Sequence, residues 1–258
     1  MAETVLYDKQ KNVVTMTMNR PDALNSINRQ LRRELAEAIT QFDEDEDAYV
    51  AIITGAGRAF CAGRDLKERA SDNAEGVQAR AFHSMTPDRP FMFPQTWKPL
   101  IAAVNGFALA GGWSIAQMCD LRLASEDAKL GITETKWSLL PPFGPILPKS
   151  MPLSAVLELV FTAQPVTAQR AYDMGFLNKV VPGEQLMAEA MALAEQIAEN
   201  APLAVQAFKE LAYRGQNMSV QDISALTYHM YDQLLTTEDS KEGPKAFAEK
   251  RKPRWKGQ

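Results

Sequence analysis

Two glycine-rich turns and one glutamate are the residues whose types and spacing could do chemistry. The first turn runs from Gly55 to Gly63 and the second from Gly106 to Gly112. Each carries small residues, Ala62-Gly63 and Ala110-Gly111, just ahead of a predicted helix. Backbone N–H groups at a helix start lack intrahelical partners, and the helix dipole favours negative charge there. Two such turns brought together would offer two donors to one developing oxyanion, and small side chains would let a substrate carbonyl approach the amides. Glu134, in Gly131-Ile132-Thr133-Glu134 and at a predicted helix start, is the candidate acid or base; a glutamate at that position is equally an ordinary capping residue.

Other chemistries are weaker. Gly55-Ala56-Gly57-Arg58-Ala59-Phe60 has two glycines of a dinucleotide fingerprint, but Phe60 stands where the third belongs. No Gly-Lys-Ser/Thr follows, so a phosphate loop fails too. Gly112-Trp113-Ser114-Ile115-Ala116 is an incomplete nucleophile elbow, and His229 could complete its chain order, yet nothing local marks that histidine as catalytic. The chain has only two histidines, His83 and His229, and two cysteines, Cys61 and Cys119, all far apart, so no metal site is expected. Acid–base work then falls to carboxylates or the backbone.

The elements that must position these residues follow from periodicity. Val13 to Met18 alternates as a strand and stops at the turn Asn19-Arg20-Pro21-Asp22. A helix follows, capped by Asn25 or Ser26, with Leu31, Leu35, Ile39 and Phe42 on one face. The acidic run Asp43 to Asp47 reads as a solvated loop. Tyr49 to Thr54 and Leu100 to Val104 are continuous apolar runs, predicted as strands buried on both faces. A short polar helix starts at Asp65, another helix spans Trp113 to Met118, and a strand spans Asp120 to Ala124. The order strand, glycine turn, small residues, helix occurs twice and suggests a repeating unit. Residues 71 to 97, with Pro87, Pro90 and Pro94, read as a mobile loop with helical fragments and lid character. Glu184 to Glu199, Ala201 to Tyr213 and Val220 to Leu235 read as amphipathic helices.

Composition bounds the function. The chain has 258 residues, with 28 Lys+Arg against 32 Asp+Glu, a formal charge of −4. At 46% hydrophobic and 23% charged residues it belongs with globular proteins, and neither disorder nor a disulfide scaffold is expected. The mild acidity argues against nucleic-acid binding, and no apolar run approaches the roughly 18–20 residues of a membrane helix. The beginning of the chain has no secretory pattern, so a cytoplasmic enzyme is the expectation.

Four segments, in order, resemble the crotonase (enoyl-CoA hydratase/isomerase) superfamily. They are Asn19-Arg20-Pro21 with Ala23-Leu24-Asn25, Ala59 to Lys67, Ala102 to Gly112, and Phe247-Ala248-Glu249-Lys250-Arg251. The resemblance implies an α/β fold, a crotonase-type spiral of repeated strand-strand-helix units with a helical C-terminal region. The spiral core would span 1–195 and a helical oligomerisation region 196–258. It implies that the amides of Arg64 and Gly111 bind a thioester oxygen, worth roughly 3–4 kcal/mol per donor. Ala23, Leu24, Ala62, Arg64, Asp65, Lys67 and Gly111 would contact CoA, joined by Phe247 and Lys250 from a neighbouring subunit. The family's usual lysine before the Ala-Leu pair is Asp22 here.

The departures from the family bear on the reaction. Typical hydratases carry two glutamates; here the first position is Ser114 and the second Glu134. That pair, with Trp137 and Pro141-Pro142, also resembles the hydroxycinnamoyl-CoA hydratase-lyases. The resemblance implies an acyl-CoA thioester substrate, no cofactor beyond its CoA moiety, and a homotrimer or dimer of trimers. It implies water addition to a 2-enoyl-CoA with Glu134 as acid/base and Ser114 positioning water or substrate. Isomerisation, aryl hydratase-lyase chemistry, thioester hydrolysis through Ser114, and a scaffold without turnover are the alternatives.

Overall fold

The computed structural model describes residues 3–75, 84–86, 89–90 and 96–258. In chain order the elements are β1 (Val5–Gln10), β2 (Val13–Met18), α1 (Arg29–Glu44), β3 (Val50–Gly55), β4 (Ala59–Cys61), α2 (Leu66–Ala74), β5 (Ser84–Thr86) and β6 (Arg89–Pro90). Then come β7 (Leu100–Val104), β8 (Phe107–Leu109), α3 (Gly111–Met118), β9 (Leu121–Ser125), β10 (Lys129–Gly131), α4 (Leu153–Thr162), β11 (Val166–Thr167), α5 (Ala168–Asp173) and β12 (Lys179–Val181). Helices α6 (Leu186–Ala198), α7 (Pro202–Gly215), α8 (Val220–Leu235) and α9 (Glu238–Ala248) complete the chain.

The larger sheet has the order β1-β2-β3-β7-β9-β12 and is parallel apart from the β1–β2 pair. A smaller sheet, β11-β10-β8-β4, is parallel from β4 to β10. Each repeat gives one strand to each sheet and then a helix, as β3–β4–α2 and β7–β8–α3 do; β9–β10 opens a third. This is the spiral of strand-strand-helix units expected from the sequence. The two glycine turns each contain a three-residue strand that is too short to read from periodicity.

All six residues of β3 are buried, which accounts for its unbroken apolar sequence. Val50 and Ile52 share one core with Leu186, Ala190 and Ala194 of α6. Ala51 and Ile53 face the other core, which contains Leu31, Leu35 and Phe42 of α1. Full burial of side chains of this size contributes about 1.5–3 kcal/mol each. The boundary expected at residue 195 falls inside α6, whose buried face packs on the larger sheet. Helix α7 is tied to the core by Lys209, whose Nζ donates to Asp120 Oδ2 at 2.6 Å and to the Lys98 carbonyl at 2.9 Å.

The cap of α1 is Asn28, which accepts from the Leu31 N–H at 2.9 Å, rather than Asn25 or Ser26. Asn25 is fully buried and does something else. Its Oδ1 accepts from the Arg20 N–H at 2.8 Å, and its Nδ2 donates to the carbonyls of Ala59 (2.7 Å) and Ala56 (2.9 Å). With Leu24 (φ 50°) it forms a left-handed pair (φ 54°), a conformation that asparagine tolerates better than most residues. The turn after β2 is thereby fixed to both ends of the β3–β4 turn.

Much of the loop expected over 71–97, including Pro87, Pro94 and His83, lies outside the described residues. Within it, α2 reaches Ala74, and β5 pairs antiparallel with β6 where no strand was expected. The expected C-terminal helices correspond to α6, α7 and α8, with α9 additional. Among the described residues, no helix is long and apolar enough to cross a membrane.

Replacing Asn25 by Ala leaves the Ala56 carbonyl and the Arg20 N–H without their partner and the Ala59 carbonyl with only the longer bond from Asn105 Nδ2 at 3.4 Å. Chemical denaturation is expected to show a loss of roughly 2–4 kcal/mol.

Candidate active site

The short strands β4 and β8 run parallel, with Ala59 opposite Phe107 and Cys61 opposite Ala108, and this pairing brings the two turns side by side. Gly63 has φ +96°, and a Cβ there would lie 2.9 Å from the Leu109 carbonyl oxygen and 3.4 Å from the Gly111 nitrogen. A Cβ on Gly111 would lie 3.7 Å from the Arg64 nitrogen. The amides of Arg64 and Gly111 are therefore close neighbours, and the glycine at 63, with its positive φ and its contact to the Leu109 carbonyl, is needed for that approach.

Each amide is aimed by its local backbone. Arg64 bridges Ile27: the Ile27 N–H donates to the Gly63 carbonyl (2.8 Å) and the Asp65 N–H to the Ile27 carbonyl (3.0 Å). Because successive amides of an extended chain alternate, the Arg64 N–H points away from that bridge. Gly111 opens α3, where the first N–H groups lie beyond the helical ladder. Ala110 before it has φ 51° and ψ −116°, a strained conformation for a residue with a side chain, costing about 1–3 kcal/mol. Its N–H is held by the Gly131 carbonyl of β10 at 2.9 Å.

The turns open onto a cavity of about 410 Å³. Ala62, Arg64, Ala110 and Gly111 line it together with Ser114, Thr133 and Glu134. The rest of its wall is mainly apolar, from Ile27, Leu66, Trp137, Leu139, Leu140, Pro142 and Phe143, with Arg69 among them. Ser114 is buried one turn into α3. Glu134 begins a short 3₁₀ turn, Glu134–Trp137, and is 9% exposed. Its Oε2 is buried without a hydrogen-bond partner among the described residues. Burial pushes its carboxyl up to about 7, against a smaller opposing effect of the backbone N–H groups of Glu134 and Thr133.

The remaining expected residues are distributed as follows. Ala23 ends a 3₁₀ turn and Leu24 follows it; the Ala62 N–H donates to the Leu24 carbonyl at 3.0 Å, so this turn abuts the first glycine turn. Asp65 uses its oxygens within the chain. Oδ1 accepts from the N–H groups of Lys67 (3.1 Å) and Glu68 (3.3 Å), and Oδ2 pairs with Arg20 at 3.0 Å. Burial alone would raise its carboxyl, but Arg20 and the two amides hold it below the ordinary range. Lys67 is exposed, as are Phe247, at 87%, and Lys250, and none of these three lines the cavity. His229 is exposed on α8 and does not line the cavity either, so Ser114 and His229 are not brought together.

Sequence reasoning missed Ile27, Leu66, Arg69, Leu139 and Leu140 as cavity residues. A signal existed for Arg69, three residues after Leu66 and on the same face of α2.

The fold that places these groups in one cavity is shared with known proteins. A model of the enoyl-CoA hydratase/isomerase family matches residues 8–258, and the chain belongs to that family of enzymes. It is 37% identical over 256 residues to the (E)-benzylidenesuccinyl-CoA hydratase of Thauera aromatica, covering 98% of this chain and 99% of the relative. It is 36% identical over 251 residues to the short-chain-enoyl-CoA hydratase of Clostridium acetobutylicum, covering 96% and 95%. The crystal structure of enoyl-CoA hydratase from Mycobacterium tuberculosis H37Rv superposes with a TM-score of 0.91 at 37% identity, covering all of both chains.

A carboxyl raised from 4.5 to about 7 makes its ionisation cost folding free energy above the unfolded value, and the full cost is felt above about 7. Glu134→Gln removes that cost. Urea denaturation is expected to show the variant gaining on the wild type between pH 5 and pH 8, by on the order of 2–3 kcal/mol.

Proposed function

We propose that this enzyme adds water across the double bond of a 2-enoyl-CoA thioester. The observation that carries the reading is the placement of the Arg64 and Gly111 amides beside a buried Glu134 in one cavity. In this reading the thioester oxygen accepts from both amides, which drains electron density from the double bond. Ionised Glu134 takes a proton from water as the oxygen bonds to the β-carbon, and the negative charge moves to the thioester oxygen as an enolate. Glu134 then returns the proton to the α-carbon. One carboxyl serves as base and acid in turn, so the balance is water added and nothing else consumed. A pKa near 7 suits both halves of that cycle. The Ser114 hydroxyl positions the water or the substrate.

Ala23, Leu24 and Ala62 would line the CoA channel, with Lys67 near a phosphate. Asp65 would hold α2 in place, and Phe247 and Lys250 would reach the CoA of a neighbouring subunit. The homotrimer or dimer of trimers would be built on the helices after α6, where Phe208 (73%) and Tyr228 (71%) are strongly exposed. No cofactor beyond the CoA moiety enters this reaction. Free Cys61 and Cys119 suit a reducing compartment, and the cytoplasm is the location this reading takes.

Two observations favour a bulky or aryl acyl group within the same reaction. The wall carries Trp137 and Phe143, and one close relative is named for a benzylidenesuccinyl-CoA substrate. Double-bond isomerisation needs the same amides and a single acid/base and is the second reading. Hydrolysis through Ser114 is disfavoured by the position of His229.

Product mass and loss of enoyl-thioester absorbance test the reading on crotonyl-, 3-enoyl- and feruloyl-CoA. A water adduct is expected; a shifted double bond would make the enzyme an isomerase, and an aldehyde with acetyl-CoA a hydratase-lyase. Glu134→Gln is expected to lower kcat by about 10²–10⁴-fold, and its full retention would overturn the mechanism. In the wild type, kcat/KM is expected to rise with pH through a midpoint near 7, because the free enzyme must present Glu134 ionised. Light scattering is expected to report three or six chains, and a monomer would remove the contacts assigned to Phe247 and Lys250.

A further inference from the structure

Among the described residues, two arginines, Arg64 and Arg69, and one carboxyl, Glu134, line the cavity. Leu66, Arg69 and Asp72 follow one another at three-residue spacing on one face of α2. Leu66 and Arg69 line the cavity, and Asp72 is 4% exposed. Two guanidinium groups share Asp72: Arg64 Nη2 donates to Oδ2 at 3.1 Å, and Arg29 pairs with Oδ1. Burial and the nearby Arg69 charge both work against the charged form of Arg64, and Asp72 works in its favour. Arg69 itself is in no ion pair among the described residues, although it is half-buried in a wall shared with Trp137, Leu139 and Leu140.

An arginine placed this way has given up part of its hydration without receiving a counter-charge. A hydrocarbon acyl chain would leave it so. The guanidinium is a planar fork that binds a carboxylate through two parallel hydrogen bonds, and partial burial in an apolar wall strengthens that contact. Arg64, fixed by Asp72 beside it, adds a second positive charge to the same wall. Glu134 is the only carboxyl lining the cavity among the described residues, and its ionisation is opposed by burial.

Resting on the hydratase reading above, we propose that the acyl group of the substrate carries a carboxylate of its own, received by Arg69 with Arg64 alongside. The substrate class is then the 2-enoyl-CoA thioesters of dicarboxylic acids, linear or aryl-substituted. Arg69 is a specificity residue in this arrangement. The phosphates of CoA are the other source of negative charge, and they differ in one testable way: every CoA thioester has them.

The experiment compares matched five- and six-carbon 2-enoyl-CoAs ending in a methyl group or in a carboxylate, using the wild type, Arg69→Met and Arg69→Lys. The wild type is expected to favour the carboxylate-ended member in kcat/KM by about tenfold or more. Arg69→Met is expected to lower the ratio of the two kcat/KM values about 10- to 100-fold, chiefly through KM, and Arg69→Lys to retain part of it because lysine keeps the charge without the fork. Should Arg69→Met fail to fold, the wild-type and Arg69→Lys ratios decide. A wild type that prefers the methyl-ended member overturns the proposal and leaves the hydratase reading standing. So does an Arg69→Met variant that loses equally on both members, since Arg69 would then serve the CoA phosphates. If the wild type hydrates neither these pairs nor crotonyl- or feruloyl-CoA, the hydratase reading fails and the proposal fails with it.

Discussion

The structure is organised around a close approach of main chain to main chain. Between the turns that end in Gly63 and Gly111 there is no room for a side chain, since a Cβ on Gly63 would already come within 2.9 Å of the Leu109 carbonyl oxygen. Holding two turns at this distance requires both to be fixed from outside, because nothing within the gap can hold them. The parallel pairing of β4 with β8 does so from one side. The buried Asn25 does so from another, bonding three main-chain groups of the neighbouring turns. The bond from the Ala110 N–H to Gly131 fixes the second turn and holds Ala110 in its strained conformation.

Electrostatics and packing act in the same direction around this gap. Burial lowers the local dielectric, which strengthens hydrogen bonds from the amides while disfavouring an ionised carboxyl. The environment that would strengthen hydrogen bonds from the Arg64 and Gly111 amides is thus also the one that raises the Glu134 carboxyl to about 7, where it is about half ionised at neutral pH. Oε2 of Glu134 has no hydrogen-bond partner among the described residues, which leaves one oxygen of the carboxyl open to proton exchange with water or substrate.

Long buried elements were legible in the sequence. β3 and β7 could be read because both faces are covered, and α1 because its apolar residues repeat every three or four positions. β1 escaped notice because it is an edge strand with one buried residue among six, so Asp8 and Lys9 hide the pattern. β4, β8 and β10 are three residues each, below the length at which a period can register, and their pairing partners are distant in sequence. At the site, the small residues and glycines revealed the turns, and the start of a helical turn revealed Glu134. The side-chain direction of Arg64 was not legible, because it is set by Asp72, eight residues on and buried on α2. Asn28 replaced Asn25 as helix cap for a similar reason: the carbonyls of Ala56 and Ala59 claim Asn25, and only the tertiary structure places them there.

That the two facing donors are peptide groups has a genetic consequence. A side-chain donor disappears with one codon change, whereas the N–H of Arg64 survives replacement of Arg64 by any residue except proline. A mutational scan would therefore find this end of the cavity dominated by shape, with Gly63 intolerant and position 64 itself permissive. The opposite wall, formed by side chains such as Leu66, Arg69, Trp137 and Leu140, has no such protection and equally no such constraint. Heritable variation can accumulate there and reshape that wall while the two facing amides pass unchanged from ancestor to descendant.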